Sequence, residues 1–204
     1  MTQPTVFIVD DEPGIRVSLS ILLETAHLNS RCFASAEAFL AICGPDLAGC
    51  LLLDVRMPGM SGSDLQAELI RRGVRLPIIF LTAHGDLPTG IEAMKQGALD
   101  FLTKPVNGAL LLERVQAALE LDREHHRVAE LRQAFAARIR KLTAREREVL
   151  VLAQSGMDNK SIACHLAVSL RTIESHRSRI CLRTGARSLA ELIHQATMAG
   201  VKLV

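Results

Sequence analysis

From residue 5 to about 105, short apolar runs alternate with stretches in which apolar residues recur every three or four positions. The runs 5–9, 29–33, 50–53, 77–81 and 98–102 predict strands. The stretches PGIRVSLSILLETAHL, SAEAFLAICG, SGSDLQAELIRRG and DLPTGIEAMKQG predict helices, each stopped by a glycine or a polar residue. A strand such as Val6–Val9 has no polar face, which suits a parallel sheet buried under helices. The alternation therefore predicts an α/β fold with a doubly wound, five-stranded parallel sheet, whose ligand site lies beyond the carboxyl ends of the strands.

After residue 105 the strand pattern stops. Residues 106–141 read as one long helix or two, with Val128, Leu131, Phe135, Ile139 and Leu142 on one stripe and charges, including DREHHR, elsewhere. His125 and His126 are adjacent, so they face different directions and read as solvated side chains. Thr143 with Glu146, and Ser188 with Glu191, have the spacing of capping boxes at the start of two further helices. Between them, DNKSIACHL gives a short helix burying Ile162, Ala163 and Leu166, and Ser169 is placed to cap LRTIESHRSRICLRTG. The tight turn between these two makes a helix-turn-helix. On the second helix Ile173 and Ile180 point inward, while Arg171, Glu174, Ser175, Ser178 and Arg179 form an outer face suited to base edges and phosphates.

Charge separates the two halves. The chain of 204 residues has a formal charge of only +2, but residues 1–120 carry 9 basic and 14 acidic side chains, residues 121–141 carry 6 and 3, and residues 142–204 carry 9 and 5. An acidic front and a basic back imply different partners. These shifts divide the chain into a first domain over 1–120, a helical linker over 121–141 and an all-α four-helix domain over 142–204. The five cysteines have no metal-ligand spacing and read as reduced, core-filling thiols, in keeping with a cytoplasmic protein. No apolar run is long enough to span a bilayer, so no membrane partner is expected.

The candidate chemistry lies just past the predicted strands: Asp10, Asp11 and Glu12 after the first, Asp54 after the third, Thr82 after the fourth and Lys104 after the fifth. Three adjacent carboxylates repel one another and call for a cation; all-oxygen donors without His or Cys favour Mg²⁺. Asp11 and Asp54 are assigned as direct ligands and Asp10 as a ligand through water. Lys104 and Thr82 can hold phosphoryl oxygens, which leaves Asp54 as the carboxylate nucleophile.

The segments VDDE (9–12), LLLDVRMPGMSG (51–62), FLTAHGD (80–86) and FLTKP (101–105) resemble the receiver domain of two-component response regulators, a flavodoxin-like fold, over roughly residues 4–120. The resemblance implies that Asp54 accepts a phosphoryl group from a sensor histidine kinase and that Asp10, Asp11 and Asp54 hold Mg²⁺ together with the backbone carbonyl of Arg56. It implies further that Thr82 and Lys104 bind the phosphoryl group, that Phe101 turns inward when Thr82 moves, that the bond before Pro105 is cis, and that Arg56 and His84 set the phosphoryl lifetime.

LTAREREVL, NKSIA and RTIESHRSRI resemble the LuxR-type DNA-binding domain over about 140–204, placing the whole chain in the FixJ/NarL class of response regulators. The family's recognition helix usually has a leucine where Thr184 stands. The resemblance puts base contacts at Glu174, Ser175 and Ser178. Phosphate contacts are expected at Lys160, Arg177 and Arg183, and either role at Arg171 and Arg179, with Thr172 completing the set. The expected function is a transcriptional regulator, an activator by its FixJ-like architecture. Phosphorylation promotes its homodimerisation on duplex promoter DNA, and the bound dimer recruits RNA polymerase. One rival reading is a DNA-binding regulator that works without phosphorylation. Another is a Mg²⁺-dependent phosphatase acting through an aspartyl phosphate, but such enzymes usually carry an acid two residues past the nucleophile, where Arg56 stands; the chain is therefore not expected to be an enzyme.

Overall fold

The computed structural model describes residues 4–44, 47–83 and 94–201. Within them the chain divides into two compact units, 1–126 and 127–204. The helix expected from DLPTGIEAMKQG falls largely on residues 84–93, outside the described residues, as does His84.

In the first unit, β1 (Thr5–Val9), β2 (Asn29–Phe33), β3 (Gly49–Asp54), β4 (Ile78–Thr82) and β5 (Asp100–Thr103) form a parallel sheet in the order β2-β1-β3-β4-β5. The last strand starts two residues later than the apolar pattern suggests, because Ala98 is buried ahead of it and the Leu99 amide donates to the Ile78 carbonyl. Helices α1 (Pro13–Thr25), α2 (Ala36–Leu40), α3 (Gly62–Arg71) and the first turns of α4 (Gly108–Arg140) cover the sheet. Alternation along the strands sorts the core in two. Phe7, Val9, Leu51, Leu53 and Phe80 pack with α2 and α3, whereas Val6, Ile8, Leu52, Ile79 and Leu81 pack with α1 and α4. β3 is buried along its whole length, and β2, an edge strand, is mostly exposed.

In the second unit, the end of α4 packs with α5 (Ala144–Gln154), α6 (Asn159–His165), α7 (Leu170–Thr184) and α8 (Leu189–Ala199). Phe135, Ile139 and Leu142 join Val149, Leu150, Ile162, Ile173, Ile180 and Leu192 in one core. The expected stripe on α4 is thus shorter than its sequence pattern: Leu131 is 55% exposed and Val128 only half-buried. α4 runs without a break through the boundary expected at residue 120.

The Thr143–Glu146 capping box forms as its spacing predicts, and Ser61 with Asp64 forms another at α3. At α8 only half the device appears. Ser188 accepts from the Glu191 amide, but the Glu191 carboxylate reaches one residue further back and accepts from the Arg187 amide at 2.8 Å. The cysteines also depart from expectation. Cys50 alone is buried, and burial, reinforced by the Asp122 charge, pushes its thiol up to about 12, whereas Cys32 and Cys164 are exposed. Among the described residues, no helix is long and apolar enough to cross a membrane.

Candidate functional site: an acidic cleft and a helix-turn-helix

Strand register assembles the acidic site. Val9 lies opposite Leu53, so the next residues in each strand direction, Asp10 and Asp54, emerge side by side at the carboxyl edge. Leu81 lies opposite Asp54, which puts Thr82 one step beyond it, and Thr82 lies opposite Thr103, which puts Lys104 one step further. The Lys104 amide donates to the Thr82 carbonyl at 2.7 Å, and the Lys104–Pro105 bond is cis.

Lys104 Nζ donates to Asp10 Oδ2 at 2.8 Å and to Asp54 Oδ2 at 2.9 Å, and Glu12 Oε1 is 3.7 Å away. Asp10 is wholly buried, and Asp54 is 6% exposed. Burial pushes the Asp54 carboxyl above its ordinary value; Lys104 opposes that shift and Asp10 adds to it. Burial pulls the Lys104 ammonium down, but its bonds to Asp10 and Asp54 outweigh this and raise it, keeping it charged.

Oxygens of Asp10, Glu12 and Asp54 lie within 4.8 Å of one another. This donor set is all oxygen and carries more negative charge than one ammonium balances, so it fits a hard divalent cation. The carboxylates brought together are therefore Asp10, Glu12 and Asp54; Asp11 is not in that group. The reason is local. Asp10 Oδ1 accepts from the Glu12 amide at 2.9 Å, which curls the chain so that the third acid faces back towards the first. The Arg56 amide donates to Asp54 Oδ1 at 3.4 Å. Thr82 is buried and its hydroxyl donates to the Ala83 carbonyl at 3.2 Å, while Phe101 is half-buried against the core under α3.

Two residues not among the expected site residues support this edge. Arg16 Nη1 donates to the carbonyls of Asp10 and Asp11 at 2.6 and 2.9 Å, pinning the acidic loop. Its signal was available: a basic residue near the start of a helix that begins at the residue after the acids. Gly62 approaches so closely that a Cβ there would lie 2.1 Å from the Asp54 carbonyl oxygen. At the opposite edge of the sheet, Asp122 is 3% exposed and accepts from the Gly49 amide at 2.8 Å. His126, expected to be solvated, lies 3.6 Å from Asp122 and 3.3 Å from the Leu47 carbonyl.

In the second unit, Ser169 caps α7 as expected, accepting from the Thr172 amide at 3.1 Å. Ile173 and Ile180 are fully buried, so the opposite face is turned outward. Lys160, Arg171, Glu174, Ser175, Ser178 and Arg179 are exposed, and Thr172 is half-buried. The Ser178 hydroxyl donates to the Glu174 carbonyl of its own helix. Arg177 and Arg183 have intramolecular partners: Arg177 donates to Asn159 Oδ1 at 2.9 Å, and Arg183 donates to the Lys141 carbonyl at 3.1 Å and lies 3.4 Å from Glu146. Thr184 is buried with its hydroxyl donating to the Ile180 carbonyl at 2.7 Å, which satisfies the polar group that stands where the family usually has leucine.

Comparison with known proteins gives matches to both halves. Residues 6–116 match the response regulator receiver domain, and residues 140–196 match the bacterial regulatory proteins of the luxR family. The transcriptional regulatory protein FixJ of Azorhizobium caulinodans is 42% identical over 96% of this chain and 93% of its own length. The transcriptional regulatory protein TdiR of Thauera aromatica is 44% identical over 93% of this chain and 84% of its own. Among solved structures, the response regulator StyR aligns over 97% of this chain and all of its own, at 40% identity and a TM-score of 0.86.

Proposed function

Because the chain belongs to the response regulators that join a receiver domain to a LuxR-type DNA-binding domain, we propose that it is switched by phosphoryl transfer from a sensor histidine kinase to Asp54. As a member of that family it is a DNA-binding transcriptional regulator of a two-component system and not an enzyme. The observation that carries the choice of Asp54 is its position at the end of β3, buried to 6% exposure yet held at 2.9 Å by the Lys104 ammonium it shares with Asp10.

In the proposed step an Asp54 carboxylate oxygen attacks the phosphorus carried on the kinase's imidazole. The phosphorus–nitrogen bond breaks, the imidazole leaves with the bonding pair, and Asp54 becomes an acyl phosphate. Bound Mg²⁺ would offset the repulsion between phosphoryl oxygens and the acidic cleft. Asp10 and Asp54 are the carboxylates to hold it, with Glu12 converging on them here and Asp11 and the Arg56 carbonyl as the further ligands the family pattern assigns. Lys104, released from part of its bond to Asp54, follows the negative charge onto the phosphoryl group. Thr82, one residue past the partner of Asp54, turns its hydroxyl to the same group, and Phe101 moves inward after it.

The output follows from the second unit. Phosphorylation promotes a homodimer, which sets two copies of α7 on half-sites about one DNA turn apart. Glu174, Ser175 and Ser178 read base edges, while Lys160, Arg171 and Arg179, all exposed, and the half-buried Thr172 make phosphate or base contacts. Recruitment of RNA polymerase makes the regulator an activator, working in the cytoplasm where its DNA lies. Functionally, residues 1–120 receive the signal, 142–204 deliver it and 121–141 join the two.

Intact-mass spectrometry with a small phosphodonor and Mg²⁺, alongside size-exclusion chromatography, tests this reading. Wild type should gain one phosphoryl mass and elute as a dimer, and Asp54→Ala should do neither. A wild type left unmodified by several donors would overturn it in favour of a regulator that binds DNA without phosphate.

A further inference from the structure

The basic character of the second unit has a use besides DNA. Each of four arginines donates to the carbonyl at the end of a helix other than its own. Arg145 bonds the Leu166 carbonyl after α6 at 2.7 Å, Arg132 bonds Ala199 at the end of α8 at 2.8 Å, Arg138 bonds Thr184 at the end of α7 at 2.6 Å, and Arg183 bonds Lys141 after α4 at 3.1 Å. Helix ends leave carbonyls without partners and carry partial negative charge, so a guanidinium is a suitable cap.

Two of these caps are reciprocal. Arg138 of α4 holds the last carbonyl of α7, and Arg183 of α7 holds the carbonyl that follows α4. Both arginines are braced. Arg138 also donates to Gln195 Oε1 at 3.1 Å and stands 5.5 Å from the centre of the Phe135 ring, itself buried in the core. Arg183 lies 3.4 Å from the carboxylate of Glu146, which is buried in the capping box of α5. The left-handed Gly185 closes α7 by donating to Cys181, which leaves the Thr184 carbonyl for Arg138.

We propose that Arg138 and Arg183 form a clasp that fixes the carboxyl end of the DNA-reading helix α7 against the end of α4, so that both are positioning residues for DNA recognition and neither is a phosphate contact. The proposal rests on α7 being the helix that reads DNA. It assigns Arg183, an exposed side chain whose sequence context suggests a phosphate contact, to holding two helix ends together. It also makes recognition depend on Arg138, which lies on α4 outside the helix-turn-helix.

The test uses the full chain, phosphorylated with a small phosphodonor and Mg²⁺, and a duplex that the wild type selects from a random-sequence library. If the wild type selects no sequence, the reading of α7 fails before the clasp is tested. Arg138→Ala and Arg183→Ala, verified as folded at 25 °C by their amide spectra, should each bind that duplex about tenfold more weakly, the effect of losing one charged hydrogen bond. Preference for the selected over a scrambled duplex should fall, and the salt dependence of binding should keep its wild-type slope. The double variant should lose less than the product of the single losses, because each arginine ties the same two helix ends. A role in stability alone would leave affinity unchanged in folded variants, and that result overturns the proposal. A salt slope reduced by about 0.9 in Arg183→Ala would make it a phosphate contact and overturn the proposal too. Should an alanine variant not fold, Arg138→Lys and Arg183→Lys replace it. An ammonium on residue 138 cannot reproduce the fork that meets both Thr184 and Gln195, so the same loss of preference is expected, and wild-type binding by both lysine variants would refute the clasp.

Discussion

Positive charge does opposite work in the two units. In the acidic cleft one ammonium, Lys104, faces three carboxylates from the ends of two strands. In the helical unit four guanidiniums are dispersed, one to each of four helix ends. The first arrangement concentrates a surplus of negative charge where a cation and a phosphoryl group can be received. The second consumes positive charge that a count of basic residues would otherwise credit to nucleic acid. A regional charge balance therefore sets an upper bound on phosphate contacts, because each side chain that caps a helix is withdrawn from it.

The sharpest way to break this contrast is Lys104→Met. It leaves Asp10 and Asp54 side by side without their shared ammonium, and removing one partner of a buried ion pair costs about 3 kcal/mol. Chemical unfolding should show the receiver unit's transition moving to lower denaturant while that of the helical unit stays in place. Millimolar Mg²⁺ should recover part of the loss. A receiver transition that does not move would mean the carboxylates tolerate one another without the lysine.

A smaller effect separates the units by the sign of their pH dependence. Burial raises Asp122, with the Gly49 amide and the neighbouring histidines opposing it. Burial acts to raise Glu146 as well, but the Thr143 amide and hydroxyl, followed by Arg183 and His176, outweigh it and lower the group. A raised acid binds its proton more tightly in the folded state, so Asp122 favours folding as pH falls through its folded value towards about 3.9, the unfolded one. A lowered acid does the reverse, so the contribution of Glu146 is present above about 4.3 and is lost as pH falls through its folded value. The unfolding free energy of each unit, compared with Asp122→Asn in the first and Glu146→Gln in the second, should therefore show contributions of opposite sign on acidification. Matching directions would show that the surroundings of the two acids are alike after all.

The smallest effect is expected at Thr184→Val. The Thr184 hydroxyl adds a second bond to the Ile180 carbonyl within α7, so an isosteric apolar replacement should change stability by less than about 1 kcal/mol and leave DNA affinity unchanged. A large loss in thermal unfolding would mean that this hydroxyl, and not the arginine on the neighbouring carbonyl, secures the end of the helix.

Most of the sheet was legible because a strand buried on both faces has to be apolar along its middle, and β1, β3 and β4 are, with polar residues only at their ends. β5 was legible only approximately, since Ala98 and Leu99 are as apolar as the strand that follows them. Within the site, Asp10, Asp54, Thr82 and Lys104 were each marked by the polar residue that ends a strand. Sequence reading assigns Asp11, not Glu12, as a direct ligand, whereas Glu12 is the acid that converges on Asp10 and Asp54, because facing depends on the hydrogen bond from the Glu12 amide to Asp10. Likewise nothing in the spacing of Arg138 or Arg183 distinguishes a cap from a solvated charge.

The sequence by itself determined the two fold classes, the element order and the family, because periodicity and strand-end motifs are local and repeat often enough to exclude chance. The tertiary structure alone decided which carboxylates share Lys104 and which arginines close helices. Those partnerships join residues as far apart as Asp10 and Lys104 or Arg138 and Thr184, and hydrogen bonds between such distant positions leave no periodic trace in the chain.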